Sequence, residues 1–175
     1  MSDDFRARAR AWLAANAPRR GAAEDDGDAS PTTLADQKAF QAKLFDAGFA
    51  GITWPKAYGG QSLTVAEQIA WSQEARDFDL PNGAFFIGIS MPGNTILEIG
   101  TEGQKTRYLP PMLRGEEIWC QLFSEPGAGS DVAALQTSAV RDGDEWVISG
   151  QKVWTSGAQY SDFGAIIART DPSKP

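Results

Sequence analysis

The feature that most constrains this 175-residue chain is a change in hydrophobic pattern near Gly115. Before Gly115, apolar side chains recur at the spacing of amphipathic helices, and after it they fall in short runs rich in β-forming residues. Helices followed by strands indicate separate layers or domains rather than alternating βαβ units. The sequence therefore predicts an α+β chain, with an N-terminal all-α helical domain over residues 1–115 and an antiparallel β-domain over residues 116–175.

The first two thirds of the chain carry helix signals with recognisable starts. Thr64 and Glu67, like Thr101 and Gln104, have the spacing of a capping box, which closes the first turn of a helix. Helices are predicted from Asp3 to the residue before Pro18, from Thr32 or Thr33 to Gly48, from Thr64 to Phe78, from Asn82 to Ile89, from Asn94 to Ile99, and from Thr101 to the pair Pro110 and Pro111. The small, acidic stretch from Gly21 to Pro31 predicts a mobile surface loop.

After Gly115 the predicted elements are strands. The pair Asp142-Gly143, placed between two β-forming runs, is the strongest short-range signal of a hairpin. Strands are predicted over residues 118–123, 137–141, 145–149, 151–155 and 163–168. A few strands with open edges are marginally stable alone, so we expect this chain to hold only the first part of its β-domain.

Charge and residue content disfavour several classes of protein. The formal net charge of −7 and the pI near 4.6 disfavour binding to nucleic acid or to an anionic membrane. The chain has no histidine, which disfavours a triad hydrolase or a zinc enzyme, and no metal site is expected. Cys120 is the one cysteine and is predicted to be a small buried residue. Without a disulfide or a secretory signal, a cytoplasmic protein is expected.

A loop of small residues follows the first predicted strand, with the sequence SEPGAGSD at residues 124–131. Pro126 fixes its backbone and Gly127-Ala128-Gly129 projects no bulky side chain, so successive backbone N–H groups can face one concavity. Ser124 and Ser130 add hydroxyl groups. Such a loop can hold a planar or phosphorylated cofactor, or it can be a plain turn at the end of a strand. The loop by itself leaves both interpretations open.

A second candidate segment, GQKVWTSGA at residues 150–158, follows the predicted hairpin. Trp154 offers a flat apolar face beside the hydroxyls of Thr155 and Ser156. This combination suits a flavin, whose N5 atom needs a hydrogen-bond partner when it takes a hydride. The alternative is a core tryptophan followed by two hydroxyl residues that favour strands.

Together, these segments resemble the acyl-CoA dehydrogenases. SEPGAGSD followed by DGDEWVISGQKVWTSGA at this spacing is typical of that family. TWPKAYGG at residues 53–60 resembles a turn in the family's N-terminal domain, and GTEGQKTRYLPPMLRGEE at residues 100–117 resembles its connection from helices to strands. These four motifs occur in order and span nearly all of the chain.

The resemblance implies an architecture and a cofactor. The family has an N-terminal helical domain, a middle β-domain and a C-terminal helical bundle, with FAD between the last two; the C-terminal bundle is expected to lie outside this chain. By position, the implied FAD contacts are Gln121, Phe123, Ser124, Gly129, Ser130, Trp154, Thr155 and Ser156. Trp154 would lie against the flavin ring, Ser156 would bond flavin N5, and Ser130 would also contact acyl-CoA.

The implied reaction is the α,β-dehydrogenation of an acyl-CoA thioester, in which a carboxylate takes the α-proton and the β-hydrogen passes as a hydride to flavin N5. The family's base usually lies in the C-terminal domain, so no catalytic residue is assigned in this chain, which alone is expected to be inactive. Glu125 is interpreted as a carboxylate that orients its loop.

The resemblance also implies partners and leaves alternatives open. It implies a homo-oligomer, dimeric or tetrameric. It also implies an electron-transfer flavoprotein as the electron acceptor. The wording of the motifs is similar to a bacterial branch, some of whose members take branched, bulky or steroid-derived acyl-CoAs. The alternatives are a flavin-dependent oxidase or monooxygenase of the same superfamily, and a truncated, non-catalytic binding or assembly module.

Overall fold

A computed structural model describes residues 2–21 and 32–171, in which helices come first and strands follow. The chain divides into two units, which we call the helical unit, Met1–Glu117, and the strand unit, Ile118–Pro175. The α+β class and the helices-then-strands order are therefore confirmed. The loop predicted from Gly21 to Pro31 lies, apart from Gly21 itself, outside the described residues.

The helical unit contains the predicted helices, and hydroxyl side chains begin three of them. The described part of this unit, residues 2–21 and 32–117, contains the α-helices α1 (Ser2–Asn16), α2 (Leu34–Asp46), α3 (Val65–Ala75), α4 (Gly83–Gly88), α5 (Asn94–Ile99) and α6 (Glu102–Arg114), with a π-helical turn (Ile89–Gly93) between α4 and α5. The predicted capping boxes at Thr64 and Thr101 are confirmed. Of the two threonines that could begin α2, Thr33 is the cap, and it forms a capping box with Asp36.

The predicted end of α6 is wrong. Pro110 and Pro111 lie inside the helix, which continues to Arg114 and ends at Gly115 with a φ of 82°. Each proline removes one backbone N–H donor, which usually ends a helix. Here α6 carries a fully buried apolar face, to which Leu109 and Leu113 contribute with 0% exposure each. Tertiary packing of that face outweighs the local preference for a break.

Aromatic side chains form the centre of the helical unit. Phe49 stacks on Trp71 with ring centroids 4.7 Å apart. Phe5 and Trp12, both from α1, contact Phe49 at 5.8 Å and 5.5 Å. This cluster ties α1 to α3, and the salt bridge from Arg10 to Glu74, at 2.9 Å, lies at its edge.

Replacing Thr64 with alanine is expected to destabilise the helical unit by about 1 kcal/mol. The Thr64 hydroxyl accepts a hydrogen bond from Ala66 N–H at 3.2 Å, and Thr64 N–H donates to the Glu67 carboxylate at 3.0 Å. Ser72→Ala is the matched control, because Ser72 is exposed in the middle of α3 and alanine favours helix there. Urea unfolding measures both; equal stability of the two variants would contradict a capping role for Thr64.

In its described residues, 118–171, the strand unit contains one hairpin and one parallel pair of strands. Its strands are β1 (Trp119–Leu122), β2 (Ser138–Asp142), β3 (Glu145–Ser149) and β4 (Phe163–Ile166). As predicted, β2 and β3 form an antiparallel hairpin around Asp142-Gly143. In contrast, β1 pairs with β4 in parallel, with Cys120 opposite Gly164, so the expected antiparallel arrangement holds for the hairpin only. Cys120 is buried, as predicted.

The strand predicted over residues 151–155 is absent from the structure. Trp154 has a φ of 58°, which no extended strand can accommodate. Val153 N–H instead donates to Ser124 O at 2.9 Å, a backbone hydrogen bond to the loop after β1. The segment is therefore an irregular connection whose shape is set by contacts with the first motif.

Candidate functional site

The small-residue loop begins where β1 ends and closes into a tight turn. Glu125 N–H donates to Ala128 O at 2.8 Å, and Ala128 N–H donates to Glu125 O at 3.2 Å. A β-carbon added at Gly127 or Gly129 would meet no atom within 4 Å, and neither glycine has a positive φ. The chain's own packing therefore does not require glycine at these two positions, and the space beside them is open.

The two segments singled out in the sequence meet in the strand unit. Ser124 O accepts the bond from Val153 N–H, and Lys152 Nζ donates to Phe123 O at 2.9 Å. A cavity of about 480 Å³ is bordered by Pro126 and Gly127 from the first segment and by Gly150 and Gln151 from the second. Two stretches of chain that are well separated in sequence thus share one concavity.

Trp154 is the most unusual residue of the second segment. Its side chain is 89% exposed, so the interpretation as a core tryptophan is wrong. Its positive φ is rare for a bulky residue and costs about 1–3 kcal/mol. Strain of this kind persists where surrounding structure fixes the backbone, and it is concentrated at functional sites. An exposed indole on a strained backbone is therefore a candidate for ligand contact.

The remaining predicted contacts differ in their surroundings. Thr155 is half-buried and Ser156 is exposed, and Gly129 and Ser130 lie exposed after the tight turn. Within the described residues, no hydrogen bond links this pair to Thr155 or Ser156. Phe123 and Ser124 are thus hydrogen-bonded directly to the second segment. Gly129 and Ser130 lie in the same strand unit as Thr155 and Ser156 but are not hydrogen-bonded to them.

Gln121 supplies a buried polar atom that the chain leaves unsatisfied. Its Oε1 atom, on β1, accepts no hydrogen bond from the described residues. A buried acceptor without a partner is costly, and such groups in native structures call for an explanation. A ligand that presents a donor to β1 would satisfy it.

Sequence reasoning missed Lys152, a residue of the second segment whose side chain is buried. Its Nζ atom is 2.8 Å from Glu125 Oε1, and the side chains of the two residues are 7% and 6% exposed. The Glu125 carboxylate also accepts hydrogen bonds from Gln136 N–H at 2.6 Å and Thr137 N–H at 2.9 Å. In the sequence, Lys152 stands alone between Gln151 and Val153, and this local pattern does not indicate that its side chain is buried.

These donors make Glu125 a stronger acid than an ordinary glutamate. The Lys152 ammonium group, followed by the Thr137 side chain and then by the backbone amides of Gln136 and Thr137, lowers the pKa of Glu125 from its usual 4.5 to about 2. Such a carboxylate keeps its charge in neutral solution and is a poor base. This geometry agrees with a loop-orienting role and argues against proton abstraction by Glu125.

The strand unit is expected to lose stability in acid through Glu125. Because the pKa of the folded state lies below that of the unfolded chain, the ionised carboxylate stabilises the fold above about pH 4.5, and this contribution is lost as the pH falls towards 2. The Glu125→Gln variant should therefore show a flatter decline in unfolding free energy than the unmodified chain. Urea unfolding between about pH 5 and pH 2.5 measures the difference, and parallel declines would contradict the assignment.

Comparison with protein-family models matches almost the whole chain. Residues 2–116 match the model described as "Acyl-CoA dehydrogenase, N-terminal domain", and residues 120–175 match "Acyl-CoA dehydrogenase, middle domain". The chain belongs to the acyl-CoA dehydrogenase family.

Individual relatives agree with this assignment. The acyl-CoA dehydrogenase IpdE1 of Mycobacterium tuberculosis is 39% identical over 97% of this chain and 45% of its own length. The structure "Tcur3481-Tcur3483 steroid ACAD" matches with a TM-score of 0.75 and 36% identity over 99% of this chain and 44% of that chain. The ChsE4-ChsE5 complex from Mycobacterium tuberculosis matches with a TM-score of 0.76 and 32% identity over 98% of this chain and 42% of that chain. The chain therefore spans less than half the length of these relatives.

Proposed function

We propose that the protein carrying this chain is an FAD-dependent acyl-CoA dehydrogenase, and that this chain supplies one side of the flavin site. The observation that carries the proposal is the bonding of Lys152 and Val153 to Phe123 and Ser124, which joins the two motif segments immediately before Trp154, a residue exposed on a strained backbone. Membership of the family supports the reaction class.

The described residues fit an oxidised flavin. Trp154 offers an apolar face to an aromatic ring system, and the exposed hydroxyl of Ser156 can bond a ring nitrogen. Gln121 Oε1 is a buried acceptor without a partner, and the open space beside Gly127 and Gly129 admits a close approach to the backbone. The proposed FAD contacts are Gln121, Phe123, Ser124, Gly129, Ser130, Trp154, Thr155 and Ser156.

In this proposal the chain positions FAD and stabilises negative charge on the flavin ring. The base that removes the substrate proton lies outside this chain. FAD, when bound, would accept the substrate's β-hydrogen as a hydride. Fixed N–H and O–H donors from the two segments would stabilise negative charge on the ring without having to reorganise. Three donors hold Glu125, which argues against Glu125 as the base. Following the family resemblance, we place the base that removes the α-proton outside this chain.

The substrate and partners are proposed on the same basis. We propose an acyl-CoA as substrate, with Ser130 among its contacts, and the similarity to a steroid ACAD favours a bulky acyl group as the first to test. A homo-oligomer and an electron-transfer flavoprotein acceptor are proposed from the family. One solved relative is a complex of two differently named chains. Assembly with a second kind of subunit is therefore the alternative to a homo-oligomer. A cytoplasmic location is proposed; no helix in residues 2–21 and 32–171 has the length and hydropathy to cross a bilayer.

The visible absorption spectrum of the full-length protein tests this function. We expect a flavin band that bleaches anaerobically on addition of an acyl-CoA, with short, long, branched and steroid-derived thioesters compared. Fast recolouring in air would instead indicate the oxidase or monooxygenase. A protein that binds no FAD would contradict the proposal and favour a non-catalytic module.

A further inference from the structure

Glu125 and Lys152 form a buried ion pair between the two segments that carry the proposed flavin contacts. Both side chains are less than one-tenth exposed, and their charged atoms are 2.8 Å apart. Taking two charges out of water carries a large desolvation penalty, which a well-packed apolar pair would not incur. The position of this pair therefore calls for a reason beyond filling space.

The bonds of Lys152 show what the pair connects. Its ammonium group donates both to Glu125 Oε1 and to Phe123 O, at 2.8 Å and 2.9 Å. The next residue, Val153, donates its N–H to Ser124 O. Phe123 and the first two residues of the first segment, Ser124 and Glu125, are thus bonded to two consecutive residues of the second segment, immediately before Trp154.

Glu125 also connects these bonded residues, which we call the joint, to the chain just before β2. Its carboxylate accepts from the backbone N–H groups of Gln136 and Thr137, just before β2. An apolar pair could neither accept the two hydrogen bonds from Gln136 and Thr137 nor donate one to Phe123 O. The geometry is specific to a carboxylate facing an ammonium group.

We propose that Glu125 and Lys152 are positioning residues that set the spacing between the two flavin-contacting segments. In this role the pair acts through Ser124, Val153 and the adjoining Trp154 rather than by direct contact with FAD or substrate. This inference rests on the proposed function for its consequence, FAD affinity, but its structural half can be tested on the protein without FAD.

The structural half is tested by amide hydrogen exchange in the FAD-free protein. In a Lys152→Met variant, the Val153 amide should exchange about tenfold faster or more, because the joint opens locally. The Asp162 amide, which donates to Ile118 O at 2.8 Å at the far end of β1, should be unchanged. Equal acceleration of both amides would show general loss of stability and would overturn the proposal, as would no change at Val153.

The functional half is tested by FAD titration of the full-length protein. Lys152→Met and Glu125→Gln should each bind FAD about tenfold more weakly or worse, and Lys152→Arg, which keeps the charge, should recover part of the loss. Glu74→Gln is the control, because it removes a salt-bridging carboxylate from the helical unit. It should lower stability while FAD affinity stays within about twofold.

The outcomes separate this inference from the function on which it rests. If the unmodified protein binds no FAD, the proposed function fails, and the exchange experiment still decides whether the pair fixes the joint. If the unmodified protein binds FAD and the Lys152 and Glu125 variants bind it equally well, the positioning role is overturned and the proposed function stands. Should Lys152→Met fail to fold, Lys152→Arg and Glu125→Gln carry the same comparison.

Discussion

Replacing Trp154 with glycine is expected to stabilise the strand unit while it weakens FAD binding. Trp154 has a φ of 58°, a conformation that glycine adopts without steric cost, so the variant should gain about 1 kcal/mol in unfolding free energy. The indole is 89% exposed, so little packing within the chain is lost. Loss of an aromatic face against the flavin should weaken binding about tenfold.

Trp146 provides the matched control for this opposite pair of effects. It is an exposed tryptophan of the same unit, 52% exposed, but it lies in β3. Glycine weakens a strand interior, so Trp146→Gly should lower stability and leave FAD affinity unchanged. Urea unfolding and flavin fluorescence titration measure the two quantities. Unchanged FAD affinity in Trp154→Gly would remove Trp154 from the site.

Replacing Gly150 with alanine is expected to destabilise the strand unit by about 2–3 kcal/mol. A β-carbon at this position would lie 2.3 Å from Thr137 Oγ1 and 2.7 Å from Thr137 Cα. Thr137 is 1% exposed and its backbone N–H is bonded to Glu125, so it cannot move aside. The clash would push Gly150, at the start of the second segment, away from Thr137, which is bonded to Glu125. FAD affinity should therefore fall together with stability.

Gly127→Ala is the control for this clash, because a β-carbon there meets no atom within 4 Å and the backbone φ is not positive. Its unfolding free energy should stay within about 0.5 kcal/mol of the unmodified chain. Denaturant unfolding followed by circular dichroism compares the two variants. Similar stability of Gly150→Ala and Gly127→Ala would mean that the close approach to Thr137 does not constrain the fold.

Local signals in the sequence predicted the elements that depend on local chemistry. The capping boxes at Thr64 and Thr101 begin helices, and Asp142-Gly143 turns a hairpin, because each acts within a few residues. The break expected at Pro110 and Pro111 did not occur because packing of the buried face of α6 prevailed over a local preference.

Features that depend on distant residues were not predictable in the same way. The parallel pairing of β1 with β4 joins Trp119 to Phe163, and nothing near either residue indicates its partner. The irregular path around Trp154 and the burial of Lys152 both arise from contacts with the loop at residues 123–125. The motifs located the candidate site, but only the three-dimensional structure shows how its two segments are joined.

Amide hydrogen exchange of the full-length protein, measured with and without FAD, tests most directly whether these two segments form the flavin site. We predict slower exchange on FAD binding at residues 127–130 and 154–157, with little change at the hairpin tip, Asp142–Glu145. Binding of FAD that protects neither segment, or that protects the hairpin instead, would contradict the account.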